Sequence, residues 1–276
     1  MAYFMVDTSV QTEKDRLNHQ HNIVMRLLGD RLGKAPVHSP AQVLDLATGT
    51  GIWAIQYAEQ HPESTVLGVD LNITEPQGLI PGNCRFLQFD AESDEWPLAH
   101  SFDYVHFGHV VTCFDDTKAV MRKAFDHMKP GGWIEFHDPE VRHTADDDSA
   151  KGTAIEKWVE MAVKGASNVG RDLQKPARYQ TWLSETGFVN VREDRFSLPS
   201  NEWPEDTKLK QFGAMYKHNL LWLTESLARF LSLAGLSNME AEDLKERAKR
   251  DIQNPQIHIT FPYHIVYAQK PLNAHI

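Results

Sequence analysis

Between residues 42 and 137 short apolar runs alternate with stretches whose apolar residues recur at helical spacing, a pattern that few folds accommodate. Gln42–Leu46 (QVLDL), Thr65–Asp70 (TVLGVD), 84–89 (CRFLQF), Phe102–Gly108 (FDYVHFG) and 133–137 (WIEFH) read as strands. Ile52–Gln60 and residues 116–128 read as helices, the second stopped by Lys129-Pro130-Gly131-Gly132. Apolar strands separated by helices imply a mostly parallel sheet covered on both faces, a doubly wound α/β fold. Ahead of it, residues 11–33 read as a helix through Leu17, Ile23, Val24, Leu27 and Leu28, ended by Gly33 and Pro36.

Open sheets of this kind bind ligands outside the carboxyl ends of their strands, where the strand order reverses. The residues just past each early strand therefore carry the functional information. The first strand runs into Asp45-Leu46-Ala47-Thr48-Gly49-Thr50-Gly51-Ile52-Trp53. Glycines there let the backbone turn sharply and approach a ligand closely, and the helix that follows offers N–H groups to a carboxylate or phosphate. Asp70, after the second strand, suits the two hydroxyls of a ribose. Asp90-Ala91, after the third, suits an amino group such as that of adenine. Together they outline a nucleoside with a small charged tail.

Two cofactor classes share that outline. Residues 49–54 (GTGIWA), with Asp70 about 20 residues on, match the dinucleotide fingerprint of a nicotinamide or flavin site. Against it, Gly49 comes late after its strand, and Asp45 sits within a run that should be apolar. A buried carboxylate is costly without a partner, and the amino group of a bound methionine moiety would be one.

The bulk figures exclude other classes. A net charge of −10 without a dense Lys/Arg run argues against a partner held by phosphate contacts, so no nucleic acid is expected. No stretch reaches the length of a membrane span, and the N-terminal residues lack the basic-then-apolar pattern of a secretory signal, so a cytoplasmic protein is expected. Cys84 and Cys113 read as buried thiols of a reducing compartment.

After residue 150 the pattern changes. Residues 150–166 and 177–186 read as helices, 189–198 as a strand, and 205–250 as mostly helical, with LLWLTESLARFLSLAG one apolar helix ending at Gly235. Residues 258–269 read as a strand that Pro262 makes irregular or places at an edge. The acidic stretch Asp138, Glu140, His143, Asp146, Asp147 and Asp148 reads as a solvated loop ahead of a helix rather than a metal site.

The motifs together carry a resemblance. VLDLATGTGIWAIQYAEQHPESTVLGVDLN, FLQFDAE, FDYVHFGHV and MKPGGWIEFHD resemble the successive motifs of class I S-adenosylmethionine-dependent methyltransferases. KDRLNHQH, TGTGIW, PGNCRF, KPGGWIE, PEDTKLKQFG and QNPQIHITFPYHIVYAQKP resemble the fungal LaeA-like methyltransferase family, from about residue 13 to about residue 271. The resemblance implies a seven-stranded sheet with its last strand antiparallel, a Rossmann-like methyltransferase fold. It implies an N-terminal helical segment over residues 1–38, a cofactor-binding core over 39–149, and a helical substrate-covering region with the last two strands over 150–276. S-adenosyl-L-methionine is the implied cofactor. Asp45, Ala47, Thr48, Gly49, Gly51 and Trp53 would lie at the first loop, Asp70 and Leu71 at the ribose, Asp90 and Ala91 at the adenine, and Phe107 and Gly108 near the sulfonium. Ala47 departs from the family, which usually has glycine there.

For the acceptor, a hydroxyl needs a general base, and histidine suits that near neutral pH. His109 follows the fourth strand and His137 ends the fifth, so both are candidate catalytic residues; His106 suits packing or cofactor contact. His21, Met215, Tyr216 and Trp222 are candidate substrate-binding residues. The expected activity is methyl transfer to an oxygen or nitrogen of a small molecule, by a monomer or homodimer, in fungal secondary metabolism. The alternatives are a LaeA-like regulator acting through protein partners and a methyltransferase fold catalysing a non-methylating rearrangement.

Overall fold

The computed structural model describes residues 11–73, 79–98 and 101–273 of the 276-residue chain. The strands are β1 (Gln42–Leu46), β2 (Thr65–Asp70), β3 (Cys84–Gln88), β4 (Phe102–Gly108), β5 (Met128–Pro139), β6 (Val189–Pro199) and β7 (Thr260–Gln269). The helices are α1 (Gln11–Leu27), α2 (Ile52–Gln60), α3 (Thr117–His127), α4 (Ala154–Ser167), α5 (Tyr179–Thr186), α6 (Thr207–Ser226), α7 (Ala228–Leu233) and α8 (Asn238–Gln253). One seven-stranded sheet has the order β3-β2-β1-β4-β5-β7-β6. The pairs β1–β2, β2–β3, β1–β4 and β4–β5 are parallel. The Gly131 N–H donates to the Lys270 carbonyl at 2.9 Å and the Glu140 N–H to the Pro262 carbonyl at 2.9 Å, so β7 runs antiparallel to β5. The strand order reverses between β1 and β4, which opens the crevice used by ligands in such sheets.

Side chains alternate across a strand, and the two faces of this sheet differ. On one face Leu44, Leu46, Val105, Phe107, Ile134 and Phe136 form an apolar core with Val120, Met121 and Ala124 of α3 and Tyr179 and Leu183 of α5. The other face packs Val43, Val66 and Tyr104 against Trp53, Ala54 and Tyr57 of α2. On that face the register sets Asp45 beside His106 and His106 beside Glu135, with His137 two residues along β5. A row of polar residues therefore crosses an otherwise apolar layer.

Two compact units contain these elements. One comprises residues 8–138, 177–194 and 264–276; the other includes 139–176 and 195–263. In the second, α4 contacts α7 and α8 closely. Gly165 of α4 permits the approach of α7, because a Cβ there would stand 1.7 Å from the Phe230 carbonyl oxygen and 3.1 Å from the Ala234 nitrogen. Ser237 caps α8 in a reciprocal pair with Glu240.

Several boundaries differ from the sequence reading. The N-terminal helix ends at Leu27, because Gly29 and Asp30 take left-handed angles (φ 64° and 61°). The Lys129-Pro130-Gly131-Gly132 run lies inside β5, where it pairs with β7 instead of forming a loop. The apolar run ending at Gly235 is two helices that meet at Leu227, and Gly235 (φ 102°) lies just beyond the second. Leu220, Leu227 and Leu231 of that run are buried, while Leu221 and Leu223 are only partly so. Pro262 stands in an interior strand, offering its carbonyl to Glu140. Cys84 is buried as expected, but Cys113 is exposed in the turn after β4. No helix among the described residues is long and apolar enough to cross a membrane.

Gly165→Ala is expected to lower unfolding stability by about 1–3 kcal/mol or more, because backbone on both sides must part to admit the methyl group. Urea denaturation followed by circular dichroism measures the loss.

Candidate cofactor-binding site

β1 ends in a tight loop whose backbone is bent to the left-handed side three times in five residues. Ala47 has φ 57°, Gly49 φ 58° and Gly51 φ 77°, and Gly51 opens α2. The loop is tied down at Thr48. Its N–H donates to the Val69 carbonyl at 2.9 Å, and its hydroxyl donates to Asp45 Oδ2 at 2.5 Å. The bare Cα of Gly68 makes room for this, since a Cβ there would lie 3.0 Å from Thr48 Oγ1 and 2.6 Å from the Phe86 ring. A Cβ at Gly49 would meet only a methyl of Leu17, at 3.8 Å, so the loop presents open backbone there.

Asp70, at the end of β2, braces the same loop. Oδ2 accepts the Gly49 N–H at 2.9 Å and Oδ1 accepts the Asn72 N–H at 3.1 Å. Leu71 follows it, partly exposed, and its carbonyl accepts from the Gln88 amide at 2.9 Å. Past β3, Asp90 makes a local turn in which its Oδ1 accepts the Glu92 N–H at 2.8 Å. The Ala91 carbonyl accepts the Trp96 indole N–H at 2.9 Å. The loop, Asp70 and Asp90 thus sit beyond the carboxyl ends of β1, β2 and β3, on the side where the sheet order reverses.

Beneath the loop lies the buried polar row. Asp45 Oδ1 meets His106 Nδ1 at 2.7 Å, His106 Nε2 meets His137 Nδ1 at 3.2 Å, and His137 Nε2 meets Glu135 Oε1 at 2.7 Å. All four residues are at most 2% exposed. Glu135 also accepts the Lys34 N–H at 2.8 Å, the Ala35 N–H at 2.8 Å and the Tyr104 hydroxyl at 3.0 Å. Burial pushes the Asp45 carboxyl up to about 7 despite the Thr48 bond. Burial also acts to raise Glu135, but the bonds from His137, Ala35 and Lys34 outweigh it and hold this group below the usual carboxylate range. The His106 ring stacks on Trp53, with centroids 3.8 Å apart and planes 4° apart, and burial lowers its pKa well below the ordinary value.

These contacts reassign several expected site residues. Trp53 is core: its indole N–H donates to the Leu32 carbonyl at 2.8 Å and its ring supports His106. The Phe107 side chain also points into the core, stacked on Phe136 at 4.2 Å, which leaves Gly108 at the strand end. His137 has both ring nitrogens engaged within the fold, so direct proton abstraction from an acceptor would require breaking one of those bonds. His109 is placed differently. It is half-buried with φ 58°, and its N–H donates to the His137 carbonyl at 2.8 Å. Burial first, then the nearby Arg16 guanidinium, holds its pKa well below the ordinary histidine value. His21 of α1 meets Gln56 of α2 at 2.8 Å, and burial lowers its pKa too.

Residues that sequence reasoning did not single out complete this region. Arg16 of α1 is buried, held by Glu13 at 2.8 and 2.7 Å and donating to Gln20 at 2.7 Å. Asn18 accepts the Thr50 hydroxyl at 2.8 Å, which ties α1 to the loop. Asp138 and Glu140, read from the sequence as part of a solvated loop, are instead buried; Asp138 lies near the end of β5 and accepts the Val111 N–H at 3.0 Å and the Tyr179 hydroxyl at 2.8 Å. Glu135 had a visible signal as the lone acid of WIEFH. Met215, Tyr216 and Trp222 lie on α6 of the other unit; Tyr216 is buried against Phe261, and Trp222 is 38% exposed. Among the described residues no three His, Cys, Asp or Glu side chains are grouped to hold a metal. Within the acidic stretch, Glu140 pairs with Arg142 and Asp147 with His258.

A doubly wound sheet with such a loop after β1 and acids past β2 and β3 has the layout of a nucleoside-cofactor-binding α/β domain. The chain belongs to the methyltransferase-domain family, whose model matches residues 17–193. Probable methyltransferase tdiE of Emericella nidulans is 30% identical over 264 residues, covering 94% of this chain and 82% of that protein. Secondary metabolism regulator LAE1 of Cochliobolus heterostrophus is 31% identical over 276 residues, covering 95% of this chain and 88% of that protein. In fold, the chain is similar to Haemonchus contortus phosphoethanolamine N-methyltransferase 2 in complex with S-adenosyl-L-methionine. That match has a TM-score of 0.55 at 17% identity and covers 98% of this chain but 60% of that one.

Two outcomes follow. Ala47→Gly is expected to change stability by less than about 1 kcal/mol, because relief of the left-handed angle is offset by the freer unfolded chain. Ala47→Val should lose about 1–3 kcal/mol, since a β-branched residue tolerates that angle poorly; urea midpoints separate the two. For His109, the folded state keeps the ring neutral while the unfolded chain takes up a proton below about pH 6.5. Its contribution is therefore full above that pH and is lost as pH falls. His109→Gln should make the stability–pH curve shallower between about pH 6.5 and 5, read from urea midpoints across that range.

Proposed function

We propose that the protein is an S-adenosylmethionine-dependent methyltransferase acting on an oxygen or nitrogen of a small molecule in fungal secondary metabolism. The observation that carries this reading is the loop at 47–51, with its open backbone at Gly49, set between Asp70 and the reversal point of the sheet. These residues fit the cofactor. Gly49 and Gly51 give it bare backbone, Asp70 offers a carboxylate already oriented by two N–H groups, and Asp90 with Ala91 would take the adenine edge. When bound, the cofactor supplies a methyl group on an electrophilic sulfonium.

The chain's own part is to bind, align and exclude water. Asp70 would grip the ribose hydroxyls, and its bond to Gly49 couples that grip to the shape of the loop. His109, kept neutral near pH 7 and standing just past β4, would accept the proton of a hydroxyl acceptor. The reading includes a monomer or homodimer in the cytoplasm with no nucleic-acid partner, the last supported by the acidic net charge. A regulatory role through protein partners is the second reading, favoured by the likeness to LAE1.

Calorimetry with S-adenosylhomocysteine tests the cofactor. Asp70→Ala should weaken binding by about 10- to 100-fold, the range for charge-assisted hydrogen bonds to two hydroxyls. Product mass tests the reaction, because a gain of one methyl supports transfer and an unchanged mass means a rearrangement. No uptake of the compound by the native protein would end the assignment.

A further inference from the structure

The row from Asp45 to Glu135 has a proton count set by its geometry. Three contacts of 2.7, 3.2 and 2.7 Å join four groups, and each needs one proton between its two heavy atoms. Two neutral imidazoles whose N–H groups point outward at the two acids would bring lone pair against lone pair at the middle contact. A third proton removes that clash and leaves the four groups with one negative charge in total.

The partners of the two acids decide where that charge rests. Glu135 is met by the N–H groups of Lys34 and Ala35 and by the Tyr104 hydroxyl, besides His137. Asp45 is met by the Thr48 hydroxyl and His106. The acid with more donors is the better home for the charge. The resting arrangement therefore has the Asp45 carboxyl donating to His106 Nδ1, His106 Nε2–H donating to His137 Nδ1, and His137 Nε2–H donating to the Glu135 carboxylate. The raised Asp45 and lowered Glu135 and His106 values agree with it.

We propose that Asp45, His106, His137 and Glu135 form one proton-sharing chain whose single negative charge passes from Glu135 to Asp45 when a cation settles against the loop after β1. In that passage the Asp45 proton moves to His106 Nδ1, the His106 Nε2 proton to His137 Nδ1, and the His137 Nε2 proton to Glu135 Oε1. No proton enters or leaves, both rings stay neutral, and both change tautomer together. His106 and His137 are thus positioning residues that supply an ionised Asp45 beneath the cofactor loop without drawing on solvent. The chain itself does not depend on the methyltransferase reading, which supplies only the identity of the cation, the ammonium of the bound amino-acid tail.

The other titratable groups facing the row are His21 on α1, Tyr57 on α2, Cys84 on β3, Tyr104 on β4 and His109 just past β4. Burial keeps all five in their uncharged forms near neutral pH, lowering His21 and His109 and raising the tyrosines and the thiol.

Nitrogen NMR of the native protein labelled with 15N-histidine tests the chain before any ligand is added. His106 and His137 should both appear as neutral rings protonated on Nε2 at about pH 6, below the value of about 7 to which burial pushes Asp45 and where an ordinary histidine is largely charged. An imidazolium signature in either ring, or opposite tautomers in the two, would overturn the chain. Saturation with S-adenosylhomocysteine should then switch both rings to the Nδ1–H form, with no net proton exchange by calorimetry in two buffers of different ionisation enthalpy. Binding that leaves either tautomer unchanged overturns the charge transfer. Failure to bind at all sinks the cofactor reading and the transfer with it, while the ligand-free spectrum still decides whether the four groups share three protons.

Discussion

A carboxylate in the middle of a parallel sheet must find a partner, and the bond between Asp45 and His106 meets that demand. It joins β1 to β4 across the line where the strand order reverses, the place where the sheet opens to a ligand. Through its second oxygen the same carboxylate holds Thr48, and Thr48 in turn holds the bent loop against the end of β2. Without this pairing the burial cost of the acid would fall on the strand that positions the loop. A hydrogen bond under the sheet surface and the shape of the backbone above it are in that sense one arrangement.

The two faces of the sheet divide the work. The face toward α3 and α5 is apolar apart from Asp138 at its β5 end and supplies cohesion through area removed from water. The face toward α2 trades some of that area for a polar row that costs little only because every member is hydrogen-bonded. Trp53 belongs to this trade, since its ring shields His106 while its N–H is satisfied by Leu32. The family relationship and the loop agree about the kind of ligand expected, and the buried row adds a feature that neither requires.

Much of this was legible in the residues. The strands of the first half were readable because a doubly wound fold imposes apolar runs with few substitutes, and Gln42–Leu46, Ile52–Gln60, Thr65–Asp70 and Phe102–Gly108 have the bounds that the pattern indicates. Asp45 drew attention for the right reason, as an acid where none should be cheap. What the pattern could not show was its partner, because local sequence does not state register between strands sixty residues apart. The four polar residues of VLDL, YVHFG and WIEFH were each visible, yet only the pairing of β1, β4 and β5 puts them in one row. Trp53 and Phe107 were misplaced for a related reason: motif position locates a backbone, while the strand or helix face decides where the side chain goes. The late helices were harder still, since an apolar run such as that ending at Gly235 does not reveal the break at Leu227.

Glu135 takes two of its hydrogen bonds from the main chain at residues 34 and 35. Backbone amides are present whatever side chain a codon specifies, proline excepted. Positions 34 and 35 are therefore free to drift over evolutionary time without loosening this clamp, while position 135 is not. Aligned relatives compared by residue identity would show a constrained acid facing an unconstrained stretch, and would miss that the two are in contact.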